Sequence, residues 1–142
     1  MIVRPWEKGD TEKLLIQDAQ EYIRSMVDLN TDFSELSEQG FAWTGEIDGQ
    51  IMIVSGVQPM WTNRALAWAL ISKDAGRHFK AIHKAVQSFL IHAPFRRIEA
   101  NVDIGFKAGH KWMNMLGFEV EGYMKAYRPD GADMILYARV RV

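Results

Sequence analysis

The chain has 142 residues, a length that suits one compact domain with a single core, expected to span residues 1–142. Its apolar fraction of 48% and charged fraction of 25% exclude disorder over most of the length, and a net charge of -1 excludes a general polyanion binder. The absence of cysteine excludes disulfides, thiolate metal sites and thiol nucleophiles, and fits a reducing cytoplasm.

Ile2 to Arg4 reads as a short strand stopped by Pro5, with no long apolar stretch of the kind a signal peptide needs. A helix is predicted from about Asp10 to Met26, capped by Asp10 or Thr11, with Leu15, Ala19, Tyr22, Ile23 and Met26 on one face. The polar, acidic stretch 28–40 reads as a loop or a short frayed helix.

Phe41–Ile47 and Gln50–Val57 are strand-like runs separated by Asp48-Gly49, a pair suited to a type I′ hairpin turn. A loop is expected over 58–64. Ala65–Ser72 is apolar on both faces, as a strand in the middle of a sheet is. Lys73 to His78 is a polar elbow opening a long helix to about His92, with Phe79, Ile82, Val86, Phe89 and Leu90 on the buried face and Pro94 beyond its end. Arg97–Asp103 reads as a strand, and Gly105–Leu116 as a short helix stopped by Gly117. Phe118–Tyr127 and Asp133–Val142 read as strands joined through Pro129-Asp130-Gly131. The order β-α-β-β-β-α-β-α-β-β predicts an α/β (α+β) domain with a mixed sheet of six or seven strands flanked by helices. Residues 65–103 are expected to form a parallel strand–helix–strand crossover.

Three segments in this order carry a resemblance to a known family. Ile2-Val3-Arg4-Pro5 followed by Gly9-Asp10, the elbow before the long helix, and Trp112 to Phe118 ending in Gly117-Phe118 resemble the GCN5-related N-acetyltransferases. The segments Ala75–His78, Phe106–Trp112 and Ala126–Gly131 look like acetyltransferase-like proteins of tailed bacteriophages, some similar to the internal virion protein of T7-like phages. The resemblance implies acetyl-CoA as cofactor and an amine, small molecule or protein, as acceptor. A phage origin implies the host cytoplasm, or the virion with a virion or host protein as partner.

In that family the elbow's free amides and the helix dipole bind the cofactor's pyrophosphate, and small residues let it approach. Lys73 falls on the family's Arg or Gln position, Gly76 on its first Gly and His78 on its second small position. His78 departs from the pattern: its ring either blocks approach or donates to phosphate. Two readings fit the elbow, a phosphate site held by Lys73, Gly76, Arg77 and His78, and an ordinary strand-to-helix turn. A backbone N–H from Leu70, Ile71 or Ser72 is the candidate for polarising the thioester carbonyl. The family's acid, a Tyr on the late helix, falls on Met113, which has no proton to donate, and its Asn at the helix entrance falls on Phe106. Tyr123 and Tyr127 are replacement acids, and Glu46, Glu99 and Asp103 replacement bases, with Tyr127 and Asp103 the pair singled out. Asp103 stands at the carboxyl end of a parallel strand. Each has a structural alternative: Tyr127 as turn packing, Glu99 as a solvent-facing residue or a partner of Arg97.

Other signals are bland. The four histidines have no metal-ligand spacing, so no metal is expected. Arg77, Lys80 and Lys84 form a basic stripe that reads as a solvated face rather than a nucleic-acid contact. No apolar run has membrane-spanning length. Asp133–Val142 is long enough to present an open edge, which suits a homodimer. The acidic residues Asp28, Asp32, Glu35 and Glu38 suit either a cationic amine acceptor or a mobile solvated loop.

Overall fold

A computed structural model describes residues 1–142. The chain opens with β1 (Ile2–Pro5), then a single helical turn α1 (Asp10–Lys13), a 3-10 helix at Asp18–Ser25 and α2 (Ser34–Glu38). β2 (Ala42–Ile47), β3 (Gln50–Trp61) and β4 (Arg64–Ile71) follow as a meander. A 3-10 turn, Gly76–His78, leads into α3 (Phe79–His92), then β5 (Arg97–Asp103), α4 (Lys107–Met115), β6 (Glu119–Met124) and β7 (Met134–Val140). The seven strands pair in the order β1-β2-β3-β4-β5-β7-β6, with β4 in the middle and parallel to β5, as predicted. No helix is long and apolar enough to cross a membrane.

The chain divides into two compact units, the first made of Met1–Gln58 and Ala69–Ala93. In it, Asp48 and Gly49 take φ of 51° and 78°, the left-handed pair that a type I′ turn requires. That turn sets β2 against β3, whose Ile53, Val54 and Val57 are fully buried. α3 adds Ile82, Val86 and Leu90 to this core, and Trp43 of β2 packs against Phe89 at 5.9 Å between ring centroids.

The predicted helix from Asp10 to Met26 does not form. After α1 the chain is extended, and Leu14 and Ile16 are buried while Leu15 is 50% exposed. That is the alternation of a strand, and Ile16 makes an antiparallel bridge with Ser72. Tertiary pairing with β4 overrides the local helical spacing. The cap differs as well: Asp10 is buried, and its carboxylate accepts from Arg4 at 2.8 and 3.0 Å, from the Glu7 amide at 2.8 Å and from Thr44 Oγ1 at 2.7 Å.

The second unit comprises Pro59–Trp68 and Pro94–Val142. The expected loop over 58–64 is largely strand, since β3 continues to Trp61 and the turn at Asn63, with φ 85°, is tight. β7 is bonded on one side to β5 and on the other to β6, so it offers no open edge; the expected route to a dimer through this strand is lost. Met113, Trp112 and Leu116 of the α4 region, with Phe118, Ile98 and Val102, form the apolar interior. Gly117, φ 84°, ends α4 as predicted.

Candidate functional site

β4 ends at Ile71, and the chain turns at Ser72 before the helical run begins. Ser72 is buried and organises the turn: its Oγ accepts from the Asp74 amide at 3.1 Å and its carbonyl from the Ala75 amide at 3.1 Å. His78 N–H reaches Ala75 O at 2.8 Å. The amides of Gly76 and Arg77, in the first turn, have no intrahelical acceptor. Gly76 has ordinary backbone geometry, and a Cβ built on it meets no atom within 4 Å. The space over Gly76 is therefore open, and glycine there is not demanded by φ. Lys73 and Arg77 are exposed, and His78 is half-buried, its ring accepting from Arg77 Nε at 3.3 Å. The elbow thus presents unpaired amides, a helix dipole and two cations, the chemistry of an anion site.

The adjoining strand is different. Ser72 N–H points into the sheet and bonds Met52 O at 2.9 Å. Ile71 N–H, on the opposite edge, donates to Gln20 Oε1 at 3.0 Å, while Gln20 Nε2 donates to Ala69 O at 2.7 Å. Gln17 N–H takes Ile71 O at 2.9 Å, and Lys73 N–H takes Leu15 O at 2.8 Å. Gln17 Nε2 also donates to Gln20 Oε1 at 3.0 Å, fixing the orientation of that amide. The segment Leu15–Gln20 therefore zips along the free edge of β4. Sequence reasoning missed it. The sequence carries no alternation there, since Leu14, Leu15 and Ile16 form a continuous apolar run, and the helical pattern over the same residues is the better one.

In the first unit a hollow of about 370 Å³ is lined by Thr11, Glu12, Arg24, Asp28 and Asn30 among others, next to the acidic stretch. Glu46 lies in the Arg4–Asp10 cluster, 3.3 Å from Arg4 Nη2.

In the second unit, Asp103 accepts from Arg128 Nη1 through one oxygen and from the Gly105 amide, at 3.1 Å, through the other. Tyr127 is exposed in the turn after β6, preceded by Ala126 at φ 52°. Tyr123 is also exposed. Glu99 is buried and gripped by Arg64 and by Arg97 at 2.8 Å. The Arg64 guanidinium, against the opposing effect of burial and helped by Arg97, holds the Glu99 carboxyl at about 2. Such a carboxylate is a structural anion and a poor base at neutral pH.

A pairing that the sequence reading did not single out joins Tyr137 and His110. His110 Nε2 lies 3.0 Å from Ile104 O, which only accepts, so Nε2 carries a proton. In the neutral ring, Nδ1 then accepts from Tyr137 O–H at 2.7 Å. Burial raises the Tyr137 phenol above its ordinary pKa of 10.0, and the group stays protonated.

No protein-family model matches the sequence, and no curated protein does. Solved structures do match it along nearly the whole length. Ribosomal-protein-alanine N-acetyltransferase of Brucella melitensis is 16% identical with a TM-score of 0.74, over 99% of this chain and 100% of that one. Ard1 of Thermoplasma volcanium is 13% identical with a TM-score of 0.80, over 99% and 97%. A GNAT-superfamily phosphinothricin acetyltransferase of Sinorhizobium meliloti, solved in complex with AcCoA, is 18% identical with a TM-score of 0.70, over 98% and 87%. At these identities the likeness is one of architecture: the chain carries the fold of the GCN5-related N-acetyltransferases.

Proposed function

We propose that the protein is an acyl-CoA-dependent N-acyltransferase acting on an amine, with acetyl-CoA as the acyl donor. The observation that carries this reading is the open elbow at Gly76. Unpaired amides follow a central strand, and Lys73 and Arg77 stand beside them. When bound, the cofactor supplies an acyl group held as a thioester. The chain's own residues fit its pyrophosphate end: Gly76 and Arg77 donate backbone N–H groups, and Lys73, Arg77 and His78 supply side-chain donors. At its acyl end two of the three candidate amides are taken, Ile71 N–H by Gln20 and Ser72 N–H by Met52.

The hollow beside Glu12 and Asp28 is assigned to the amine, whose positive charge those carboxylates attract. Asp103 and Tyr127 are the proposed base and acid. Isothermal calorimetry with acetyl-CoA tests the reading: saturable binding, weakened at least tenfold by Arg77→Ala, is expected, and no heat at millimolar ligand overturns it.

A second reading has its own support. Met113 is buried in the apolar interior at the position where the family resemblance implies an acid, and both oxygens of Asp103 are engaged. These features suit a non-catalytic phage protein that keeps the fold and acts in the virion or on a host partner. Mass spectrometry of purified virions distinguishes the two. Detection in particles, with no acyl transfer by the purified protein to a panel of amines, selects the second.

A further inference from the structure

Gln20 does for β4 what a ligand amide would do. Its carboxamide accepts from one backbone N–H, Ile71, and donates to one backbone C=O, Ala69, two residues apart on the same strand edge. That is the bonding pattern of one residue of a parallel strand, in which two consecutive amides supply the acceptor and the donor. Gln17 and Leu15 complete the row with backbone bonds to Ile71 O and Lys73 N–H. The row of strand groups so covered, 69 to 73, runs directly into the elbow at Gly76.

Resting on the coenzyme A reading above, we infer that Leu15–Gln20 is an autoinhibitory strap, with Gln20 holding the place of the cofactor's amide-bearing arm. An acyl-CoA carries two amides in series between its phosphates and its thioester. Anchored by phosphate at Gly76 and Arg77, it needs the same edge groups that Gln20 occupies. The two cannot bond Ile71 N–H together, because that group has one proton to donate. Its Gln20 end is lightly held, while Ile16 anchors the other end in the core. None of the residues Asp18–Ser25 is buried, and the contacts that fix Gln20 are hydrogen bonds, each with a small net contribution to stability. Release of the strap exchanges one set of amide bonds on β4 for another, so the arm's binding is offset by what it displaces. The phosphate end has no such competitor.

Two probes separate these ends. Adenosine 3′,5′-bisphosphate carries phosphates and no arm; coenzyme A carries both. For the wild-type chain, calorimetry is expected to give similar affinities for the two. Gln20→Ala, which vacates Ile71 N–H and Ala69 O, is expected to tighten coenzyme A at least tenfold and to leave the bisphosphate unchanged. Gln20→Leu keeps roughly the side chain's size but can neither accept from Ile71 N–H nor donate to Ala69 O, and is expected to shift coenzyme A in the same direction. Thermal melts establish that each variant is folded before titration, and either variant alone suffices. Bisphosphate binding with coenzyme A affinity unchanged in the folded variants overturns the strap and leaves the cofactor reading standing. No binding of either probe by wild type or variants overturns the cofactor reading, and the strap falls with it.

Discussion

Asp10 is a buried carboxylate that accepts four hydrogen bonds, three of them at Oδ2. Burial pushes its pKa up, but Arg4, the Glu7 amide and Thr44 together outweigh that and hold the carboxyl below its usual range. Neutralising Asp10 removes the bidentate partner of Arg4, which keeps only Glu46 and the more distant Glu7, and leaves a buried amide in place of the carboxylate. Asp10→Asn is therefore expected to cost about 3 kcal/mol, read as a lower urea midpoint. Glu99 makes a pH prediction. Its folded pKa of about 2 lies below its ordinary 4.5, so the folded state holds the ionised form preferentially. The resulting stability is complete above the ordinary value and is lost as pH falls through about 2. A melting-temperature profile from pH 7 to pH 2 is expected to drop along this acid limb, and the drop is expected to be shallower in Glu99→Gln. Gly76 separates fold from ligand. Its added methyl meets open space, so Gly76→Ala is expected to change stability by no more than about 0.5 kcal/mol. The same methyl stands where a phosphate approaches the backbone, so coenzyme A affinity is expected to fall at least tenfold.

Among the elements, α4 is seated by a glycine whose role is packing. A Cβ at Gly109 would lie 2.7 Å from Phe106 Cδ2 and 2.9 Å from Val102 Cγ1 on β5. Gly109→Ala is expected to destabilise by about 1–3 kcal/mol, measured by chemical denaturation, because helix and strand must move apart. The hairpin of β2 and β3 was legible because its turn chemistry is local: Asp48-Gly49 tolerates the left-handed region that few other pairs adopt. α3 and α4 were legible from spacing and from their stops at Pro94 and Gly117. The segment 14–25 was not. Leu15, Ala19, Tyr22 and Ile23 have helical spacing, yet the hydrogen bonds offered by β4 outweigh a helix that would have stood alone with little buried surface. The strap at the candidate site follows from that single override.

For the molecule as a whole, ligand linkage gives the simplest test. Acetyl-CoA at a hundred times its Kd is expected to stabilise the fold by about 2.7 kcal/mol, visible as a rise in melting temperature that saturates with ligand. The middle position of β4 and its parallel pairing with β5 were readable from an apolar run followed by a helix and a second strand. The placement of β7 inside the sheet was not readable. Strand length is a local property, whereas strand order depends on which backbone edges remain unpaired after folding. The sequence by itself determined the fold class, the order of elements and the elbow with its cations, because periodicity, turn residues and charge are written locally. The pairing of Glu99 with Arg97 was one of the readings of the sequence; only the tertiary structure decided that Asp103 is tied to Arg128 and Glu99 to Arg64, and that Gln20 covers the edge of β4. Those outcomes depend on contacts between residues dozens of positions apart, and no local pattern records which donor meets which acceptor.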